Sequence, residues 1–262
     1  MSWTAKTTVA CLVAAAVIAA AIVIKIHFFS VNDRYFQLNP TLLRRAPAGF
    51  VVVRTTHFAG PGQRASRQTG IVDAGVNGGR WIVGRNVSLS LLMAVAYSQN
   101  PARIELPPNA PTNNFDFLVT VNKNSESSLQ SAIRRKLGYV ANRETRDTKV
   151  LALKVENPGL PGLTVSADGR ENVSPKGGRL YFTHMRLSSI TDGLGSVLQT
   201  PVVDQTSLTN YYDFSVAWDA QTQRELQGGA RARDLIEKIL AGWGLGLEPD
   251  TASLEMLVVR RI

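Results

Sequence analysis

Cysteine and histidine, which carry much of enzymatic and metal chemistry, are scarce in this chain of 262 residues. There is one cysteine, Cys11, in an apolar N-terminal stretch, so the remainder has neither a disulfide nor a thiolate metal site. That lack does not exclude export, because larger domains can rely on their cores. The three histidines are His27, His57 and His184. A zinc site takes three or four nitrogen, sulfur or carboxylate ligands, and no His-x-x-Glu-His or related spacing occurs. No Gly-x-Ser-x-Gly elbow presents a serine nucleophile. The glycines between Gly60 and Gly79 do not follow a strand and open a helix, which a dinucleotide-binding loop requires. A structural role is the first reading for His184, at the end of an expected strand, while a serine–histidine pair stays open. No cofactor and no metal is implied.

Basic residues are in excess, 29 Lys and Arg against 20 Asp and Glu, a formal net charge of +9. Such a surface favours anionic partners or simply keeps the chain soluble. Thr7 to Ile24 is free of charge and bounded by Lys6 and Lys25. With Ile26, Phe28 and Phe29 beyond a snorkelling Lys25, the stretch is long enough for a bilayer core. Apolar residues continue past the small ones, unlike a cleavage site, so residues 1–29 are expected to be an uncleaved transmembrane signal-anchor. The expected location is a bacterial cell membrane, crossed once, with the C-terminal part periplasmic or extracellular. Residues 30–49 read as a linker.

The rest of the chain carries one pattern twice. The first copy opens at Gly78-Gly79-Arg80 and the second at Gly177-Gly178-Arg179. Each opening leads into a strand, a short helix, and a strand of alternating character: Phe115, Phe117, Val119 and Val121 in one, Tyr212, Phe214, Val216 and Trp218 in the other. A second helix follows in each, Ser125 to Leu137 and Ala232 to Trp243, marked by apolar residues at helical spacing. Leu137-Gly138-Tyr139 matches Trp243-Gly244-Leu245, with glycine able to stop the helix. Tyr139 to Arg143 and Lys149 to Val155 read as a closing hairpin around a polar turn, Glu144 to Thr148. Leu245 to Glu248 and Leu254 to Arg260 read as its counterpart. Ala220 to Gly229 reads as an insertion. The expected fold is thus α+β, an N-terminal transmembrane helix followed by two repeated β-α-β-β-α-β-β modules. The modules cover 50–155 and 177–262, joined by a Pro- and Gly-rich linker at 156–176.

Four residues recur in register and are the candidate binding residues. Arg80 and Arg179 follow the Gly-Gly pairs and could hold an anion or pair with a nearby carboxylate. Asp116 and Asp213 sit on the polar face of the alternating strands. They could act as paired carboxylates in acid–base work, but the simpler reading is that both copies need that position polar. Arg134, Arg135, Lys136, Arg143, Arg146 and Lys149 form the densest basic region. Interleaved aromatics for base stacking are missing there, and no nucleic-acid partner is expected.

Several strings carry a resemblance. Phe50-Val51-Val52-Val53, Asn86-Val87-Ser88-Leu89-Ser90-Leu91-Leu92, Arg143-Glu144-Thr145-Arg146, Thr200-Pro201-Val202-Val203-Asp204 and Tyr212-Asp213-Phe214 resemble a family of uncharacterised exported proteins abundant in soil bacteria, particularly the Acidobacteria. Pro111-Thr112-Asn113 departs from that family's Gly-Pro-Trp segment. Each copy is also similar to the short N-terminal domain of secretins and TonB-dependent receptors, which implies protein contacts and no chemistry. The expected function is a membrane-anchored, periplasm-facing tandem binding module, not an enzyme. It would be held to the membrane by its helix and to a protein partner in the cell envelope; a place as a subunit of a larger membrane complex stays open. The alternative is an envelope enzyme that uses Asp116 and Asp213 in one cleft.

Overall fold

A computed structural model describes residues 35–56, 69–76, 79–167, 169–226 and 230–262. Along the chain run α1 (Pro40–Arg44), β1 (Val51–Thr55), β2 (Gly70–Val76), β3 (Gly79–Val87), α2 (Leu89–Tyr97), a 3-10 turn (Pro101–Arg103), β4 (Ile104–Glu105), β5 (Phe115–Val119), α3 (Ser125–Leu137) and β6 (Tyr139–Val155). A second run follows: β7 (Thr164–Val165), β8 (Asn172–Lys176), β9 (Arg179–Met185), α4 (Leu187–Leu198), β10 (Val202–Asp204), β11 (Tyr212–Ala217), α5 (Ala220–Leu226), α6 (Ala230–Gly242) and β12 (Leu245–Arg261). The described residues form two compact units. One holds residues up to Leu92 together with Ala110–Gly138, and the other holds Met93–Asn109 and Tyr139–Ile262.

The first unit is built on an antiparallel sheet of order β1-β5-β3-β2. Phe36, Leu43, Ala46, Ala74, Trp81, Val83 and Leu118 make one apolar cluster. Asn39 starts α1, its side chain accepting from the Thr41 and Leu42 N–H groups. Leu129, Ala132 and Ile133 of α3 are also buried, and Gly138 ends that helix in the left-handed conformation, φ 72°. Every residue of β5 is buried, Asp116 included. The alternation of its sequence suggested one wet face, but β5 is a central strand and side chains from both directions cover it. At Gly84, opposite Phe117, a Cβ would lie 1.9 Å from the Phe117 ring. Only the missing side chain lets that ring lie across β3.

The second unit holds two sheets, of order β10-β6-β12-β4 and β7-β11-β9-β8. Its core gathers Leu151, Leu153, Met185, Leu187, Tyr212, Phe214, Ile236, Leu240, Trp243 and Leu245. Phe214 stacks on Phe182 with ring centroids 4.8 Å apart and meets Trp243 at 4.6 Å. Gly177 and Gly178, at φ 57° and 71°, turn β8 into β9. Two consecutive left-handed residues make the hairpin turn whose twist suits the strands. Ala220–Leu226 is a helix, begun by Asp219 accepting from the Gln221 and Thr222 N–H groups.

The expected fold is corrected in two respects. Among the described residues the chain is a mixed α/β arrangement of three four-stranded sheets and six helices. Modules of order β-α-β-β-α-β-β behind a transmembrane helix are not found. No helix among the described residues is long and apolar enough to cross a membrane, and residues 1–29, where that helix was expected, lie outside them.

The closing hairpins do not exist either. Each is a single 17-residue strand, and the two pair antiparallel from Tyr139↔Arg261 to Val155↔Leu245. The physical reason lies in the supposed turn. Glu144-Thr145-Arg146-Asp147-Thr148 has no glycine, proline or asparagine to reverse the chain, and its threonines suit a strand. Opposite charges meet across or along the ribbon instead: Arg143 with Glu255 at 2.6 Å, Arg146 with Glu144 at 2.8 Å and with Glu105 at 2.7 Å, and Arg260 with Glu144. Flanking strands are exchanged between the runs. β4 lies parallel to β12, Ile104 beside Leu257, and β10 lies parallel to β6, Val202 beside Leu151.

Candidate functional site

The recurrent aspartates serve one local geometry in two places. A carboxylate oxygen of Asp116 accepts from the backbone N–H of Asn86 at 3.0 Å, and one of Asp213 accepts from that of His184 at 2.8 Å. Asn86 and His184 are left-handed residues, both at φ 53°. Strand pairing slips in register beside each of them. Such a bulge turns a backbone N–H out of the ladder, and the aspartate on the neighbouring strand receives it.

The two sites differ in what else they hold. Asp116 is 2% exposed, accepts from the Thr56 hydroxyl at 2.8 Å, and pairs with Arg54 at 3.4 Å. The Arg54 guanidinium lies 4.0 Å from the centre of the Phe36 ring. Asp213 is half-buried. The two aspartates belong to different compact units.

Arg80 and Arg179 also part company. Arg80 meets Asp73 at 2.5 Å and Glu126 at 3.6 Å. Arg179 reaches the Ser215 hydroxyl at 2.9 Å and has no carboxylate beside it among the described residues. Arg143 and Arg146 are tied to carboxylates along the ribbon, while Arg134, Arg135 and Lys136 stand in the last turn of α3, where the helix dipole favours cations.

His57 lies outside the described residues. The His184 ring stacks on Tyr211 with centroids 3.9 Å apart at 8°, and its Nδ1 is 3.3 Å from the Ser166 hydroxyl. Arg186 covers the same tyrosine at 4.7 Å. This is a serine–histidine contact, but Asp213 engages the histidine's backbone. A nucleophilic triad needs a carboxylate on the imidazole's second nitrogen, to hold its tautomer. Ser166 carried no signal in the sequence.

The sequence reading also missed the open backbone of β6. Leu151 donates its N–H to Pro201, and the Leu153 carbonyl accepts from Gln205. These alternate residues therefore face away from β12, and by the same alternation so do Arg143, Thr145, Asp147 and Lys149. At one end the edge is closed by β10. At the other, the Tyr97 hydroxyl accepts from the Ala141 N–H at 3.2 Å, and the Tyr97 carbonyl accepts from the Arg143 guanidinium at 3.0 Å. Between these closures Thr145, Asp147 and Lys149 are exposed, and no strand lies beside them among the described residues. On β12 the matching edge carries Pro249, opposite Leu151. Its missing N–H would have pointed outward, so no ladder bond is lost and that edge is blunted.

Charge gives the ribbon its own electrostatics. The Glu144 carboxyl is held below its ordinary range, first by its hydrogen bond to Arg146 and then by Arg260. Asp250 is likewise lowered by Gln205 and by the Thr251 N–H. Lys154 is raised by its hydrogen bond to Glu248.

A family described as Protein of unknown function (DUF3738) matches residues 90–262, a span that takes in the whole ribbon and both exchanged strands. No curated protein and no solved structure matches the chain.

Proposed function

We propose, for a chain that belongs to the DUF3738 family, that it binds another protein by accepting an extended segment along the open edge of β6. The observation that carries this reading is the closure of that edge at both ends, by Tyr97 at Ala141 and by β10 at Leu151. What remains is a slot about as long as five strand residues, roughly 17 Å. The opposite edge, blunted by Pro249, is not equivalent, so the ribbon presents one receptive side. The similarity of each copy to the short N-terminal domain of secretins, which works through protein contacts, supports the same reading. On the resemblance to exported proteins, the partner is sought in the cell envelope.

The test uses proline as a backbone probe. Asp147→Pro removes an outward N–H and takes nothing from the β6–β12 ladder, as Pro249 already does on β12. Its thermal midpoint should fall by only a few degrees. A photo-crosslinker at Thr145 of the full chain in its native cells should give a discrete protein adduct that vanishes in the Asp147→Pro background. Thr148→Pro, whose N–H faces β12, should instead unfold the ribbon. An adduct that survives Asp147→Pro in a folded chain would sink the proposal.

A further inference from the structure

The geometry points to a second, separate binding cleft in the first unit, between the edge strand β1 and α3, built for an acidic peptide in extended form. It does not rest on the β6 edge. The cleft has a volume of about 450 Å³ and is lined by Gly49, Val51, Asn124, Ser127, Ser128, Ser131 and Arg135.

One wall is backbone. Thr120 donates to the Phe50 carbonyl and Thr56 donates to that of Asn114, so the even residues of β1 face β5. Val51, Val53 and Thr55 then direct their N–H and C=O groups outward, and β1 is the edge of its sheet. The other wall is a helical stripe. Asn124, Ser128, Ser131 and Arg135 follow one another at three- and four-residue steps and share a face. Arg135 is exposed and has no carboxylate partner among the described residues. It stands between Arg134 and Lys136, in the turn with the chain's densest positive charge. A strand laid along β1 would take backbone bonds from Val51, and its carboxylates would meet Arg135.

The second copy supplies the contrast. With Leu137-Gly138-Tyr139 set against Trp243-Gly244-Leu245, Arg233 and Glu237 take the places of Ser127 and Ser131, and they pair with each other at 2.8 Å. The strand that corresponds to β1 is β7, only two residues long. Leu160 and Leu163, just before it, pack into the core beside Trp243. The chain fills in the second copy what it leaves open in the first.

The experiment is fluorescence anisotropy on the full chain with two blocked pentapeptides, Val-Glu-Val-Glu-Val and its glutamine isostere. The acidic peptide is expected to bind at least about tenfold tighter, by virtue of a charge-assisted contact. Arg135→Gln should erase that difference, and Val51→Pro should abolish binding of both. Asp147→Pro should change neither, which separates this cleft from the β6 edge. Failure of both peptides to bind, or equal binding by both, overturns the inference. So does a monomer–dimer equilibrium in sedimentation that Val51→Pro removes, since the occupant would then be a second copy of the chain.

Discussion

Asp116 and Asp213 occupy the same register and do the same work on a bulged N–H, but they are not worth the same. Asp116 is fully buried and closes a set made by Arg54, Thr56 and Asn86. Its removal leaves a half-buried guanidinium and a hydroxyl short of an acceptor. Asp116→Ala should therefore cost about 2–4 kcal/mol, and Asp213→Ala, which loses one bond at a half-buried site, about 1 kcal/mol. Urea denaturation of the two variants checks this, and equal losses would refute it. The recurrence of the aspartates was legible from sequence. The burial of Asp116 was not, because alternation along Phe115–Val119 reports a period of two and says nothing of a second covering layer. The hydrophobic residues that help to supply it, Phe36 and Leu43, lie in what read as a linker.

At the scale of elements, the ribbon is where acid should act first. Glu144 and Asp250 have folded values below their unfolded ones. Each therefore contributes stability above the ordinary carboxylate value of about 4, and that contribution is lost as pH falls through the lowered value. Lys154, raised, adds stability that persists below its ordinary value of about 10.4 and goes as pH climbs past the raised one. Amide exchange along β6 and β12, corrected for intrinsic rates, should hold steady from about pH 7 to 5 and lose protection below about pH 4. Unchanged protection down to about pH 2 would mean the charge pairs contribute nothing there. Local signals located the elements well. Leu129 and Ile133 are buried on the helix expected at Ser125–Leu137, and Ser88 caps α2 by accepting from the Leu91 N–H. They failed most at β6, since a polar run can be a turn or the wet middle of a long strand. Only a partner about a hundred residues away decides which.

For the whole molecule, the exchange of strands means that the sequence repeat is not a folding unit. β12 needs β6 along its full length and β4 beside Leu257, and β10 needs β6. A fragment of residues 157–262 keeps an entire copy of the pattern but none of those partners. It should show no cooperative melt alone, and should regain one when mixed with residues 1–156, with the two fragments co-eluting. A cooperative transition of 157–262 by itself would contradict the exchanged architecture. Repetition was thus readable in the sequence, but the place where one copy stops being self-sufficient was not.

The pairing of Tyr139 with Arg261 also has a consequence in time. As the chain is synthesised, Val155 waits for Leu245 and Tyr139 waits for Arg261, so β6 leaves the ribosome long before its mate. Throughout that interval the side of its backbone that faces β12 is bare, and contacts this distant in sequence form slowly. Two nascent chains close together can each supply the other's missing β12, giving an intertwined dimer in place of two monomers. The ratio of the two products should follow the rate of synthesis and the crowding of chains on one message, quantities that the finished structure no longer records.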